Sequence, residues 1–201
     1  MIFSPPVNHP RTDVKVVLWS GLSDPTDCAL SRTQKRFLDQ LNAPEESKIY
    51  ANFPYVRPVR SEQAAIPIVQ ASWRNLSQFL KARHAPYRDH AIAHWASLVQ
   101  SCRGLMVITI SCGLEILNAS LSSGVRPAAL EVLALGPVAR RRPDAPHLLV
   151  RGGRDFVFNP LFRDIDLVLP EIGHMNYLEH PAILELANKR FQSLVERLDR
   201  A

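Results

Sequence analysis

Cysteine is scarce: three in 201 residues, at positions 28, 102 and 112. That is too few for a disulfide framework, and the spacing matches no metal-binding pattern. The three read as reduced thiols of a cytoplasmic protein. No apolar run approaches the ~20 residues of a membrane span, so no membrane partner is expected. The N-terminus lacks a basic start and an apolar core segment, so no signal peptide is expected. Internal repeats and low-complexity tracts are also missing. The basic residues are dispersed and no recognition motif stands among them, which argues against nucleic acid as a partner. What is present is ordinary for a globular domain: 46% hydrophobic and 21% charged residues. The net charge of +5 gives an isoelectric point of about 9.4 and favours acidic partners.

Three prolines make residues 1–12 an extended N-terminal arm. Residues 13–201 read as a single domain. Apolar runs at 14–19, 48–53, 105–110, 128–135, 147–150 and 165–169 have strand length. Between them the spacing predicts helices over 28–41, 67–84, 88–101, a stretch after 113, and 181–198. Alternating strands and helices predict an α/β fold with a mostly parallel sheet and helices on both faces. In such a sheet, functional groups collect beyond the carboxyl ends of the strands.

The organising stretch is Gly104-Leu-Met-Val-Ile-Thr-Ile-Ser-Cys-Gly-Leu-Glu-Ile-Leu117. A buried strand stops at Ser111-Cys112-Gly113 and a helical pattern follows at once. That is the setting of a nucleophile elbow, a sharp turn that lifts one side chain off the strand end. The residues two before and two after the nucleophile must be small, and here they are Thr109 and Gly113. Cys112 is the poorer nucleophile, since its position two residues on is Leu114. Two later strand ends carry Asp155 and His174. The chain order is therefore nucleophile, acid, base. A serine hydroxyl needs an imidazole to take its proton, and the imidazole needs a carboxylate to hold its tautomer. Asp164 and Asp166 are the substitute acids. His90 and His94, four apart on a helix, have no third ligand in view, so no metal site is expected, and no cofactor is implied. The remaining histidines, and Trp73, Phe79 and Trp95, read as structural.

These residues resemble the α/β-hydrolase superfamily over about residues 14–198. Leu-Val-Arg-Gly-Gly-Arg-Asp155 is similar to that family's acid strand, and Gly173-His174-Met-Asn-Tyr-Leu-Glu-His-Pro181 to its histidine loop and last helix. Leu18-Trp-Ser-Gly-Leu22 stands where the family usually has His-Gly. The resemblance implies Ser111 as nucleophile, Asp155 as acid and His174 as base. It implies the backbone N–H groups of Leu22 and Cys112 as the oxyanion hole. Thr109 departs from the usual glycine and Ser20 from the usual histidine. The short stretch between Ser111 and Asp155 leaves no room for a separate lid domain, so one of the two helices at 67–101 is expected to cover the site. The expected activity is a serine hydrolase cleaving a small-molecule acyl ester or thioester. Arg57, Arg60 and Arg140 to Arg142 are available to meet an acidic acyl-carrier protein. Two alternatives stay open: an inactive protein of this fold that binds a ligand or partner, and an acyltransferase or lyase using the same triad.

Overall fold

A computed structural model describes residues 8–20, 28–53, 85–156 and 164–200. Its strands are β1 (Thr12–Trp19), β2 (Lys48–Ile49), β3 (Cys102–Ile110), β4 (Ala129–Leu135), β5 (His147–Gly152) and β6 (Leu167–Leu169). Its helices are α1 (Arg32–Gln40), α2 (Ala85–Gln100), α3 (Gly113–Leu121) and α4 (Pro181–Asp199). The six strands form one sheet in the order β2-β1-β3-β4-β5-β6, and every pairing is parallel. The chain is an α/β protein.

β3 reads as a continuous apolar run because both of its faces are covered. Met106 and Ile108 join Val16, Leu18, Leu133 and Leu135 on one side, against Phe37 and Leu38 of α1 and Ile183, Phe191 and Leu194 of α4. Leu105 and Val107 join Val17, Trp19, Val132 and Ala134 on the other, against Trp95 and Leu98 of α2 and Leu114 and Leu117 of α3. Trp95 is thus a core residue, its indole N–H donating to Val125 O at 2.9 Å. Helix α1 starts later than position 28. Ser31 and Gln34 close a reciprocal capping box there. The residues before it are held extended by the Ala29–Ala51 bridge and by Asn52 N–H donating to Cys28 O at 2.8 Å. Of the helical segment expected at 67–101, positions 67–84 lie outside the described residues, as do Leu22, Arg57 and Arg60.

Two features of the topology place the site. The chain leaves β1 towards β2 and returns to β3 on the other side of β1, so a crevice opens beyond the carboxyl ends of β1 and β3. Parallel strands β4 and β5 are joined by residues 136–146, which contain no helix. Among the described residues, that leaves one flank of α3 lined by this connection and by no second helix of its own crossover.

An ion cluster ties α4 to the sheet. Glu131 of β4 is fully buried and lies between Arg197 Nη2 at 2.6 Å and Arg190 Nε at 3.1 Å. The Arg190 contact is off the hydrogen-bond line, so it acts by charge alone. Arg190 also donates to His147 O and Arg197 to Leu130 O. Replacing Glu131 by Ala strands two guanidinium groups against an apolar sheet. We expect chemical denaturation of Glu131→Ala to show a loss of about 2–4 kcal/mol, somewhat under the cost of breaking a fully buried pair because both arginines are partly exposed.

Candidate active site

The turn after β3 carries the one non-glycine residue with positive φ among the described residues, Ser111 at φ 54. A serine in the left-handed region is strained unless its neighbours hold it there. Both of its backbone groups are held. Ser111 N–H donates to Leu135 O at 3.1 Å, and Ser111 O accepts from Val138 N–H at 3.0 Å. Gly113 completes the turn. A Cβ on it would sit 2.3 Å from Trp19 O, so β1 and the start of α3 meet only because that position is bare. The small residue required two positions after the nucleophile thus has a physical cause here.

Thr109, two positions before, is an ordinary strand residue paired with Trp19 and Ala134. It is fully buried and its hydroxyl has no hydrogen-bond partner. The strain of the elbow therefore sits at Ser111 and not at Thr109. Ser20, at the end of β1, is engaged by its surroundings: Gln34 Nε2 and Asn52 Nδ2 each donate to its hydroxyl at 3.1 Å, and its N–H donates to Asn52 Oδ1. Cys112 follows the turn. Burial pushes its thiol up to about 12, so it stays protonated at neutral pH and is no rival nucleophile. Its backbone N–H, at the start of α3, donates to no other described residue. Leu22, the other expected oxyanion donor, lies outside the described residues.

Asp155 follows β5 and His174 follows β6. The structure brings them together: both Asp155 carboxylate oxygens lie 3.0 Å from His174 Nδ1. The two loops are stitched by backbone bonds, Gly153 N–H to Leu169 O and Arg154 N–H to Ile172 O. Asn176 Oδ1 accepts from Gly173 N–H at 2.7 Å, shaping the approach to His174. Asp155 is buried, whereas the His174 side chain keeps 17% of its surface exposed. Ser111 and His174 form no hydrogen bond to each other. Their strands, β3 and β6, are three positions apart in the sheet, roughly 14 Å. Gly136, at the end of β4, makes room for the acid. A Cβ there would come within 2.7 Å of Asp155 Oδ2. The substitute acids are otherwise committed, because Asp164 and Asp166 both pair with Arg142.

Tyr177 was given no role in the sequence. Its hydroxyl donates to Asp155 Oδ2 at 2.6 Å and accepts from Gly152 N–H at 2.7 Å. Burial, and then the carboxylate beside it, hold this hydroxyl above the ordinary phenol range, so it remains a donor. Its place three residues after His174 was the available signal. The same loop supplies the N-cap of α4, His180, whose Nδ1 accepts from Ala182 N–H. His94 is a buried residue of α2, its ring 4.3 Å from that of His90.

Two substitutions test this geometry. Tyr177→Phe removes the donor to Asp155 and leaves Gly152 N–H unpaired, so urea unfolding should show a loss of about 1–3 kcal/mol. Thr109→Val removes a buried hydroxyl that bonds nothing. It should raise stability by about 1 kcal/mol, read as a higher midpoint in the same assay.

No protein-family model matches the chain, and no curated protein matches it. Among solved structures the chain is similar to TT1662 from Thermus thermophilus. The identity is 14%, over 96% of this chain and 92% of that one, with a TM-score of 0.49. A likeness of this degree says nothing about the chemistry.

Proposed function

We propose that the chain is a serine hydrolase of the α/β-hydrolase type that cleaves an acyl ester or thioester. The observation that carries this reading is the buried Asp155 holding His174 by Nδ1, at strand ends beside a serine in left-handed backbone. In the proposed reaction Ser111 Oγ attacks the acyl carbon while His174 Nε2 takes its proton. The carbonyl electrons move onto oxygen, which the Cys112 N–H faces as one oxyanion donor. The intermediate collapses, the alkoxide or thiolate leaves, and His174 returns the proton to it. Water, deprotonated by the same nitrogen, then releases the acid and restores Ser111. Asp155 keeps the Nδ1–H tautomer and stabilises the imidazolium. No step needs a cofactor. Among the described residues no helix is long and apolar enough to cross a membrane. The three free cysteines agree with a cytoplasmic setting.

A second reading has its own support. Ser20 is occupied by Gln34 and Asn52, and Ser111 is not bonded to His174. Both features fit a protein that binds a ligand without turning it over. In a hydrolase of this kind the serine–imidazole hydrogen bond tightens when substrate is present. An acyltransferase would use the same residues and differ only in the acceptor, which product analysis with added alcohols or amines separates.

Fluorophosphonate labelling read by intact mass tests the reading. The native protein should gain one adduct on Ser111. Ser111→Ala should gain none, and His174→Ala should label at least about 100-fold more slowly, the scale of a lost general base. A folded native protein that stays unlabelled would sink the hydrolase proposal and favour the binding protein.

A further inference from the structure

Among the described residues, a groove of about 500 Å³ runs between α3, the start of α2 and the helix-free β4–β5 connection. Arg88 of α2, Glu115, Asn118 and Ser122 of α3, and Arg140 and Arg141 of the connection line it. Three guanidinium groups thus face one carboxylate. That carboxylate is spent: Glu115 is buried and accepts from Arg140 Nε at 2.6 Å and from Arg140 N–H at 3.1 Å. One helical turn on, Asn118 Nδ2 donates to Arg141 O at 2.8 Å. These two side chains clamp the arginine-bearing segment onto α3. Arg141 itself is exposed and forms no ion pair among the described residues. Arg88 has only an exposed, stretched contact with Asp89 at 3.9 Å. Arg142, by contrast, is turned away into its pairs with Asp164 and Asp166. The cluster at 140–142 therefore does not act as a unit, and Arg141 with Arg88, a residue from another element, carries the unmatched charge.

The groove shares helix α3 and the β4–β5 connection with the turn that carries the candidate nucleophile. Val138, whose N–H donates to Ser111 O, lies two residues before Arg140. Along α3, at about 1.5 Å per residue, the lining side chains lie roughly 6 to 16 Å from the elbow. We propose that this groove binds a phosphate group carried on the leaving-group side of the acyl substrate. Planar guanidinium forks on a fixed backbone match phosphate oxygens in a way a single lysine does not. The inference rests on the hydrolase reading for the word substrate, but the phosphate site stands on its own lining.

Two measurements on the intact chain separate the two claims. In the first, inorganic phosphate is titrated while the arginine Nε resonances are followed by NMR, with chloride at matched ionic strength as control. Saturable shifts of Arg88 and Arg141, absent with chloride and absent in Arg88→Ala/Arg141→Ala, are expected. Shifts equal to those in chloride would overturn the site. In the second, kcat/KM is compared for an acyl-pantetheine thioester, its 4′-phosphorylated form, and the same acyl group on an acyl-carrier protein. The phosphorylated forms should be preferred by about tenfold, and the double variant should lose that preference. A greater preference for the carrier-borne form assigns the phosphate to a carrier, and for the free form to a small molecule. Equal rates for all three in the native protein would overturn the substrate assignment. Saturable phosphate binding without hydrolysis of any thioester, or of the matching acyl esters assayed beside them, would retain the groove and reject the hydrolase reading.

Discussion

The close approach of three strand ends around Ser111 is the constraint on which the rest of the site depends. The β3 strand must end in a residue with positive φ, and nothing intrinsic to serine favours that. The backbone is held there by Leu135 O on one side and Val138 N–H on the other, with Trp19 O against the bare Gly113. The first two come from the end of β4 and the loop after it, the third from the end of β1. The elbow is therefore a product of the sheet order: β1 and β4 must flank β3 in parallel for those groups to arrive. The apolar faces of β3, buried by helices on both sides, supply the driving force that keeps the strands in that order.

A second set of contacts serves the acid. Asp155 is buried, and a buried carboxylate is costly unless its oxygens are matched by donors. Here Tyr177 and His174 supply them. Tyr177 also receives Gly152 N–H, which joins the end of β5 to the loop after β6. The bare Gly136 is what lets the tyrosine and the aspartate meet at that depth. The acid–base pair is thus held by side-chain contacts, whereas the serine is held by its backbone anchors.

The arginine-lined groove follows from the same topology. A parallel crossover is usually made by a helix. Between β4 and β5 the chain crosses without one, and the loop that replaces it is fastened to α3 by Glu115 and Asn118. Among the described residues the fold thereby gains a concave, arginine-lined wall along α3, the helix that the elbow starts.

Much was legible in the sequence. The six strands, their parallel arrangement, and the order Ser111, Asp155, His174 at strand ends came from apolar runs and turn residues, because local burial patterns and chain order are written one residue at a time. The boundaries of α1 moved because Ser31 and Gln34, not the apolar spacing, decide where that helix starts. Other features were set only by the tertiary structure. Tyr177 as the partner of Asp155, the burial of Thr109 with its hydroxyl unmatched, the division of Arg140, Arg141 and Arg142 among three different surroundings, and Arg88 beside Arg141 all depend on which distant elements meet. Spacing along a chain specifies which face a side chain takes. It does not specify what stands opposite that face, because that is chosen by how the whole sheet and its helices pack.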